Sequence, residues 1–206
     1  MIRLASGIYS WNKFNEERGL NFNGFLIVCG DKAIVIDPPP HSADEEVFLD
    51  KKLNLRPAHV IVTNKHHLRD TQWWLERYQI QLAMHESETN DYGFEVSRKL
   101  KDGDRIEAGC RILHLPGKTE GEIGIYVEED WGTLILGDAL IGDPMGKVKF
   151  LPKEKIQDQD RLEQSLQGLR TLSFERLLMG DGEPLLAGAK AVVVRFLDVL
   201  PKIAQV

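Results

Sequence analysis

Four things are scarce in this chain of 206 residues, and each scarcity excludes something. Cysteine occurs twice, at Cys29 and Cys110, with no CxxC spacing. A disulfide framework and a cysteine-based zinc site are therefore excluded, and two small core residues in a reducing, cytoplasmic setting are expected. No Lys/Arg cluster interrupts the mildly acidic balance of net charge -6. A nucleic-acid footprint is absent, and attraction to an acidic membrane surface is disfavoured. Long apolar runs are missing as well. Residues 1–20 hold none, and Ala187–Leu200 is broken by Lys190, Arg195 and Asp198, so no bilayer-spanning segment and no leader are expected. Repeats, low-complexity tracts and linkers are also absent, which predicts one domain over 1–206 with a sizeable core.

The strand and helix signals that are present run in a definite order. Ile8–Trp11 is a short strand candidate. Gly24–Val28 and Ala33–Ile36 are apolar runs joined by a Gly30-Asp31 turn, which reads as a hairpin. Asp37 ends the second run and is followed by Pro38, Pro39 and Pro40, which stop the strand. Ser42 with Glu45 forms a capping box opening a helix over 42–53. His59–Val62 and Gln81–Met84 are strands on either side of an amphipathic helix at 70–78, so this region is expected to pair in parallel. Three further strands are expected at Arg111–Leu115, Gly124–Val127 and Thr133–Leu136. Leu162, Leu166 and Leu169 predict one long helix over 153–172. Arg176–Met179 is the last strand, and Pro184 is read as opening the final helix.

Polar motifs follow these strands in turn. They are Asp37; Thr63-Asn64-Lys65-His66-His67-Leu68-Arg69-Asp70; Pro116-Gly117-Lys118-Thr119-Glu120-Gly121; Gly137-Asp138; and Gly180-Asp181-Gly182-Glu183-Pro184. In this order they resemble the metallo-β-lactamase superfamily. The resemblance implies an α/β (α+β) four-layer αββα sandwich with the site at one edge, and hydrolysis of an ester, thioester, amide or phosphoester. It implies metal ligands at positions where this chain differs. A gapless reading of the first motif puts Asn64 and His66 at the two leading histidines, Leu68 at the aspartate and Arg69 at the last histidine. A reading with a short deletion matches His66-His67 to the aspartate–histidine pair, and both registers stay open. Lys118 and Asp181 stand where the family has histidines, and Asp138 keeps the bridging carboxylate.

Two accounts of the site follow. In one, His66, His67, Asp138 and Asp181 hold a divalent metal (Zn, Mn or Fe), with oxygen-rich ligation favouring Mn, Fe or Mg over Zn. In the other, which is the expectation here, no metal is held. Lys118 and Arg69 then compensate Asp37, Asp138 and Asp181, because uncompensated buried carboxylates are costly. The candidate catalytic residues are His66, Lys118, Asp138 and Asp181, with Asp37, Asn64, His67 and Arg69 completing the pocket. Asp138 or His66 would be the general base and Lys118 the stabiliser of negative charge. The rival readings are a non-catalytic module that captures a small anionic molecule, and a structural protein. A monomer or homodimer is expected. His85 and His114 read as structural, His41 and His59 as solvated, and Trp73 and Trp74 as helix packing.

Overall fold

The computed structural model describes residues 1–52, 57–88, 93 and 95–200. Two sheets pack face to face. The first has seven strands in sequence order: β1 (Ile2–Ala5), β2 (Ile8–Asn15), β3 (Leu20–Cys29), β4 (Lys32–Ile36), β5 (Pro57–Ile61), β6 (Gln81–His85) and β7 (Val96–Leu100). Strands β1 to β4 are antiparallel, and β4 to β7 are parallel. The second sheet has the order β11 (Arg176–Met179), β10 (Thr133–Leu136), β9 (Ile123–Val127) and β8 (Cys110–His114). Helices α1 (Ala43–Lys52) and α2 (Thr71–Tyr78) cover the first sheet, and α3 (Gln159–Leu166) and α4 (Ala189–Asp198) cover the second. This is the expected αββα order. Strands β1 and β7 had no counterpart in the sequence reading.

Strict alternation along the strands builds the layers. In β4, Ala33 and Val35 face the α1–α2 layer with Leu49 and Trp74, while Ile34 and Ile36 face the other sheet. In β11, Leu178 faces inward against Ile135 and Ile112, and Leu177 and Met179 meet Leu162, Leu166 and Val193. Each of these side chains is fully buried, and each Val, Leu, Ile or Met among them contributes about 1.5–3 kcal/mol. Both faces of these short strands are covered, so they read as continuous apolar runs. Cys110 is buried in the central layer. Among the described residues no helix is long and apolar enough to cross a membrane.

Local signals held where they were strong. The capping box closes, with the Ser42 N–H donating to Glu45 Oε2 at 2.9 Å and the Glu45 N–H donating to Ser42 Oγ at 3.3 Å. Trp73 and Trp74 pack within the chain, Trp74 lying 5.8 Å from Trp11 and 5.4 Å from Tyr78.

Four expectations are corrected. The long helix over 153–172 is instead a 3-10 turn (Lys153–Lys155), then α3, then a second 3-10 turn (Gln167–Thr171). The break comes from the Lys118 loop: the N–H groups of Gln157 and Asp158 donate to the carbonyls of Lys118 and Gly117 at 3.4 and 2.8 Å. Asp158 then caps α3 by accepting from the Arg161 N–H. Pro184 does not open the final helix. Residue 185 runs back along β11, with two 2.8 Å backbone bonds between Leu177 and Leu185, and α4 begins after Gly188. His41 is packed rather than solvated, its ring 4.2 Å from Trp73 and its Nδ1 3.4 Å from Asp70. His59 is enclosed too, 2.7 Å from Arg98 and 3.4 Å from Glu107.

Candidate functional site

The carboxyl ends of β4, β5, β8, β10 and β11 converge on one edge of the sandwich. The Thr63 N–H donates to Asp37, Gly180 N–H to the Leu136 carbonyl, and Ile123 N–H to the Thr63 carbonyl. Asn23 joins the two sheets there, its amide donating to the Met179 and Gly182 carbonyls at 2.8 Å each. Asp37 (φ 47°) and Arg69 (φ 37°) both adopt left-handed backbone. Such residues cost about 1–3 kcal/mol each and persist where surrounding structure over-determines them.

His67 is the histidine at the centre, and His66 lies at its margin. The buried His67 ring donates from Nδ1 to Asp37 Oδ2 at 2.8 Å, while its Nε2 lies 3.3 Å from Asp138 and 3.9 Å from Asp181. Thr63 Oγ1 donates to the same Asp37 oxygen at 2.6 Å. The close approach of His67 needs Gly180: a Cβ there would lie 2.5 Å from the His67 ring. Leu68 turns away into the α1–α2 layer. The exposed His66 lines the cleft instead, and Asn64 is spent holding the His66 N–H at 2.9 Å.

Two fixed cations complete the centre. Lys118 Nζ lies 3.0 Å from Asp138 Oδ2, with both side chains under a tenth exposed. Arg69 NH2 lies 2.7 Å from Asp181 Oδ1. The same guanidinium donates to the carbonyls of Asn23, Asp37 and Gly180 and sits 4.7 Å over the Phe22 ring. All eight residues named from the sequence lie in this one region.

The ionisation states follow from these contacts. Burial and the Arg69 charge act to lower the pKa of His67, and the Asp138 and Asp37 carboxylates overcome them, pushing it up to about 10. Burial acts to raise Asp138, but His67 and Lys118 hold it well below the usual carboxylate range. Asp181 is raised, chiefly by burial. Burial and then the Lys118 charge lower His66, so it is neutral near pH 7. The buried Glu122 was not anticipated. Its Oε1 accepts the N–H groups of Asp138 and Ala139 at 2.8 and 3.1 Å, fixing the strand end that carries Asp138. Burial, then the Asp138 charge, raise its pKa well above the ordinary value. A charged residue directly before the apolar run of β9 was the signal that could have marked it.

The cleft above this centre is about 540 Å³. Phe22, Leu151 and Ile156 give it an apolar wall, and Glu17, Arg18, Glu154 and Lys155 a rim of mixed charge. Among the described residues, one set of groups could face a metal ion: atoms of His67, Asp138 and Asp181 lie within 4.8 Å of one another.

The fold is shared with several solved structures. A di-iron-bound form of TTHA1623 is 22% identical, with 85% of this chain and 94% of that one covered and a TM-score of 0.66. The metallo-β-lactamase DIM-1 is 15% identical over 95% and 96%, with a TM-score of 0.73. ETHE1 from Myxococcus xanthus is 18% identical over 94% and 92%, with a TM-score of 0.64. At these identities the likeness shows the fold. The sequence has no match among curated proteins. The profile of a family described as the metallo-β-lactamase superfamily matches residues 3–197. With the two-sheet sandwich and the strand-end site on the same residues, the chain belongs to the metallo-β-lactamase superfamily, a family of hydrolase-like fold.

Proposed function

We propose that this chain is a metal-independent hydrolase-fold protein, in which side-chain cations have taken the place of metal ions beneath a small-molecule cleft. One observation carries the reading: three carboxylates, Asp37, Asp138 and Asp181, are matched by three cations, His67, Lys118 and Arg69. A two-metal centre does not fit these residues. Lys118 and Arg69 occupy oxygens of Asp138 and Asp181, and Asn64 is turned to a backbone N–H. A single ion on His67, Asp138 and Asp181 meets the same opposition. At roughly 5 Å, a divalent ion and one ammonium repel by about 7 kcal/mol at an effective dielectric of 20. The ion would also have to displace the proton from His67.

Hydrolysis on this site runs through the chain's own groups. His66 is neutral, exposed to the cleft and able to take a proton from water. Asp138 is a poor base, because it is pinned between Lys118 and His67. Lys118 uses one of its three N–H groups on Asp138 and has others to offer a developing oxyanion. The same pinning of Asp138 favours a second reading, in which the cleft binds a small molecule, anionic or otherwise, without turning it over.

The test uses full-length protein dialysed against chelator and offered a panel of chromogenic esters, thioesters and phosphoesters. Turnover that survives chelation and falls about 10²–10⁴-fold in His66→Gln supports the hydrolase. Binding without turnover leaves the second reading. One equivalent of zinc retained through chelator, with added zinc stabilising the fold by about 4 kcal/mol at a thousandfold excess over its Kd, would overturn metal independence.

A further inference from the structure

Outside the ionic centre, the described residues contain one other close pair of histidine rings. His85, at the end of β6, and His114, at the end of β8, come from different sheets. Their rings stack with centroids 3.7 Å apart and planes at 14°. Each ring holds one side of the surroundings of the Lys118 loop. His85 is buried, and its Nδ1 accepts the Ser87 N–H at 3.2 Å, so its own proton sits on Nε2. The turn that follows is closed by the Glu88 N–H donating to the His85 carbonyl at 3.0 Å. Glu88 then reaches across: its Oε2 accepts the Thr119 hydroxyl at 2.6 Å and, at 3.4 Å, the Lys65 N–H. Those two bonds join the loop carrying Lys118 to the loop carrying His66 and His67. From the other side, His114 Nε2 donates to the Glu120 carbonyl at 2.8 Å. Gly121 is pressed against this turn, since a Cβ there would lie 2.5 Å from the Glu88 Cβ.

We propose that the His85–His114 stack, acting through Glu88, is a pH-sensitive latch that positions the Lys118 loop. The chemistry is local. A proton added to His85 must go to Nδ1, the atom that accepts the Ser87 N–H, so two N–H groups then point at each other and the turn opens. Two imidazolium rings at stacking distance also repel, so the pair accommodates one added proton far more easily than two. Charged groups surround the pair from every neighbouring element. Glu86 and Glu88 lie on the turn after β6. Lys101, Asp102 and Asp104 lie on the β7–β8 connection, where Lys101 pairs with Glu86 and Asp102 accepts the His114 N–H. Glu120 lies on the Lys118 loop and is paired with Arg161 of α3. Burial and the neighbouring ring oppose a proton on His85, while Glu86, Asp102 and Asp104 favour it. The latch is independent of the function proposed above, because it holds the loop whether or not the cleft is catalytic.

The test is an NMR titration of the 15N-labelled full chain from about pH 7.5 to 5.5, the range in which histidine changes charge. The Thr119 and Gly121 amides should shift together with the His85 ring signals and lose exchange protection, while the Ile135 amide in the central layer stays fixed. His85→Asn keeps an acceptor for the Ser87 N–H and takes no proton, so its Thr119 and Gly121 amides should be flat over the same range. Should that variant fail to fold, His114→Gln removes the facing ring while keeping a donor for Glu120. The His85 titration midpoint should then move up. Flat amides in the wild type, equal shifts in the wild type and His85→Asn, an Ile135 shift in step with the loop, or an unmoved His85 midpoint in His114→Gln would each overturn the latch.

Discussion

At the scale of single residues, Lys118 decides the character of the site. An ammonium cannot ligate a metal, and here it lies 3.0 Å from Asp138 in a pair shielded from water. Its contribution is best measured by removing its charge. Lys118→Met keeps most of the length and leaves the Asp138 carboxylate facing Asp37 and Asp181 with one cation fewer. Breaking a buried pair in this way costs about 3–5 kcal/mol, whereas exposed pairs are worth about 0–1 kcal/mol. The midpoint of urea unfolding should therefore fall clearly, and an unchanged midpoint would show that the lysine neutralises nothing. Lys118→His offers the family's ligand in its place. Arg69 on Asp181 still opposes a divalent ion, so added zinc should recover little of the loss, and a return to the wild-type midpoint with zinc would overturn this.

Among the elements, the ends of strands matter more than their middles. The pairing of β3 with β4 stops at Phe25, and beyond it the chain ends are tied by a backbone bridge between Phe22 and Asp181 and by side chains. Arg69 is the chief tie, with one guanidinium reaching the carbonyls of Asn23, Asp37 and Gly180 and the Asp181 carboxylate. A planar fork with five donors can do this, and an ammonium cannot. Arg69→Lys keeps the charge but loses most of these bonds, and a charged hydrogen bond is worth about 1.5–3 kcal/mol. A loss of about 2–3 kcal/mol is expected in urea unfolding. Amide exchange should also speed up at Asn23 and Gly180 before it does so in the strand middles. Uniform exchange across the sheet would argue against this local role.

For the whole molecule, the ionic centre should be visible in the pH dependence of stability. His67 has a folded pKa of about 10 against an unfolded value near 6.5. A raised folded pKa contributes stability that is complete below the unfolded value and lost as pH rises through the folded one. Stability should thus decline from neutral pH towards pH 10, with a slope of at most about 1.4 kcal/mol per pH unit from this one group. Asp138 acts at the other end. Its depressed pKa contributes stability present above the ordinary carboxylate range and lost in acid. Unfolding midpoints measured across pH check both limbs, and His67→Gln should flatten the alkaline one. An alkaline limb as steep in His67→Gln as in the wild type would assign the proton elsewhere.

The sequence by itself determined the layers and the edge at which the site lies. Continuous apolar runs such as Ala33–Ile36 and Leu177–Met179 mark strands covered on both faces, and the two-residue period sends neighbouring side chains to opposite layers, although packing alone decided which set meets the other sheet. Glycine and proline after those runs fix where the polar residues stand. Only the tertiary structure decided which histidine enters the centre. His66 and His67 are adjacent and chemically identical, and the choice rests on Asp37, Thr63 and Gly180, which come from three different strand ends. The Lys118 loop likewise breaks the apolar period of 153–172, since its carbonyls compete for the N–H groups of Gln157 and Asp158. Local propensity could not foresee that competition, because the competing groups lie about forty residues away in the chain and meet only on folding. The raised pKa of Glu122 belongs to the same class: the burial that opposes its charge exists only once both sheets are packed.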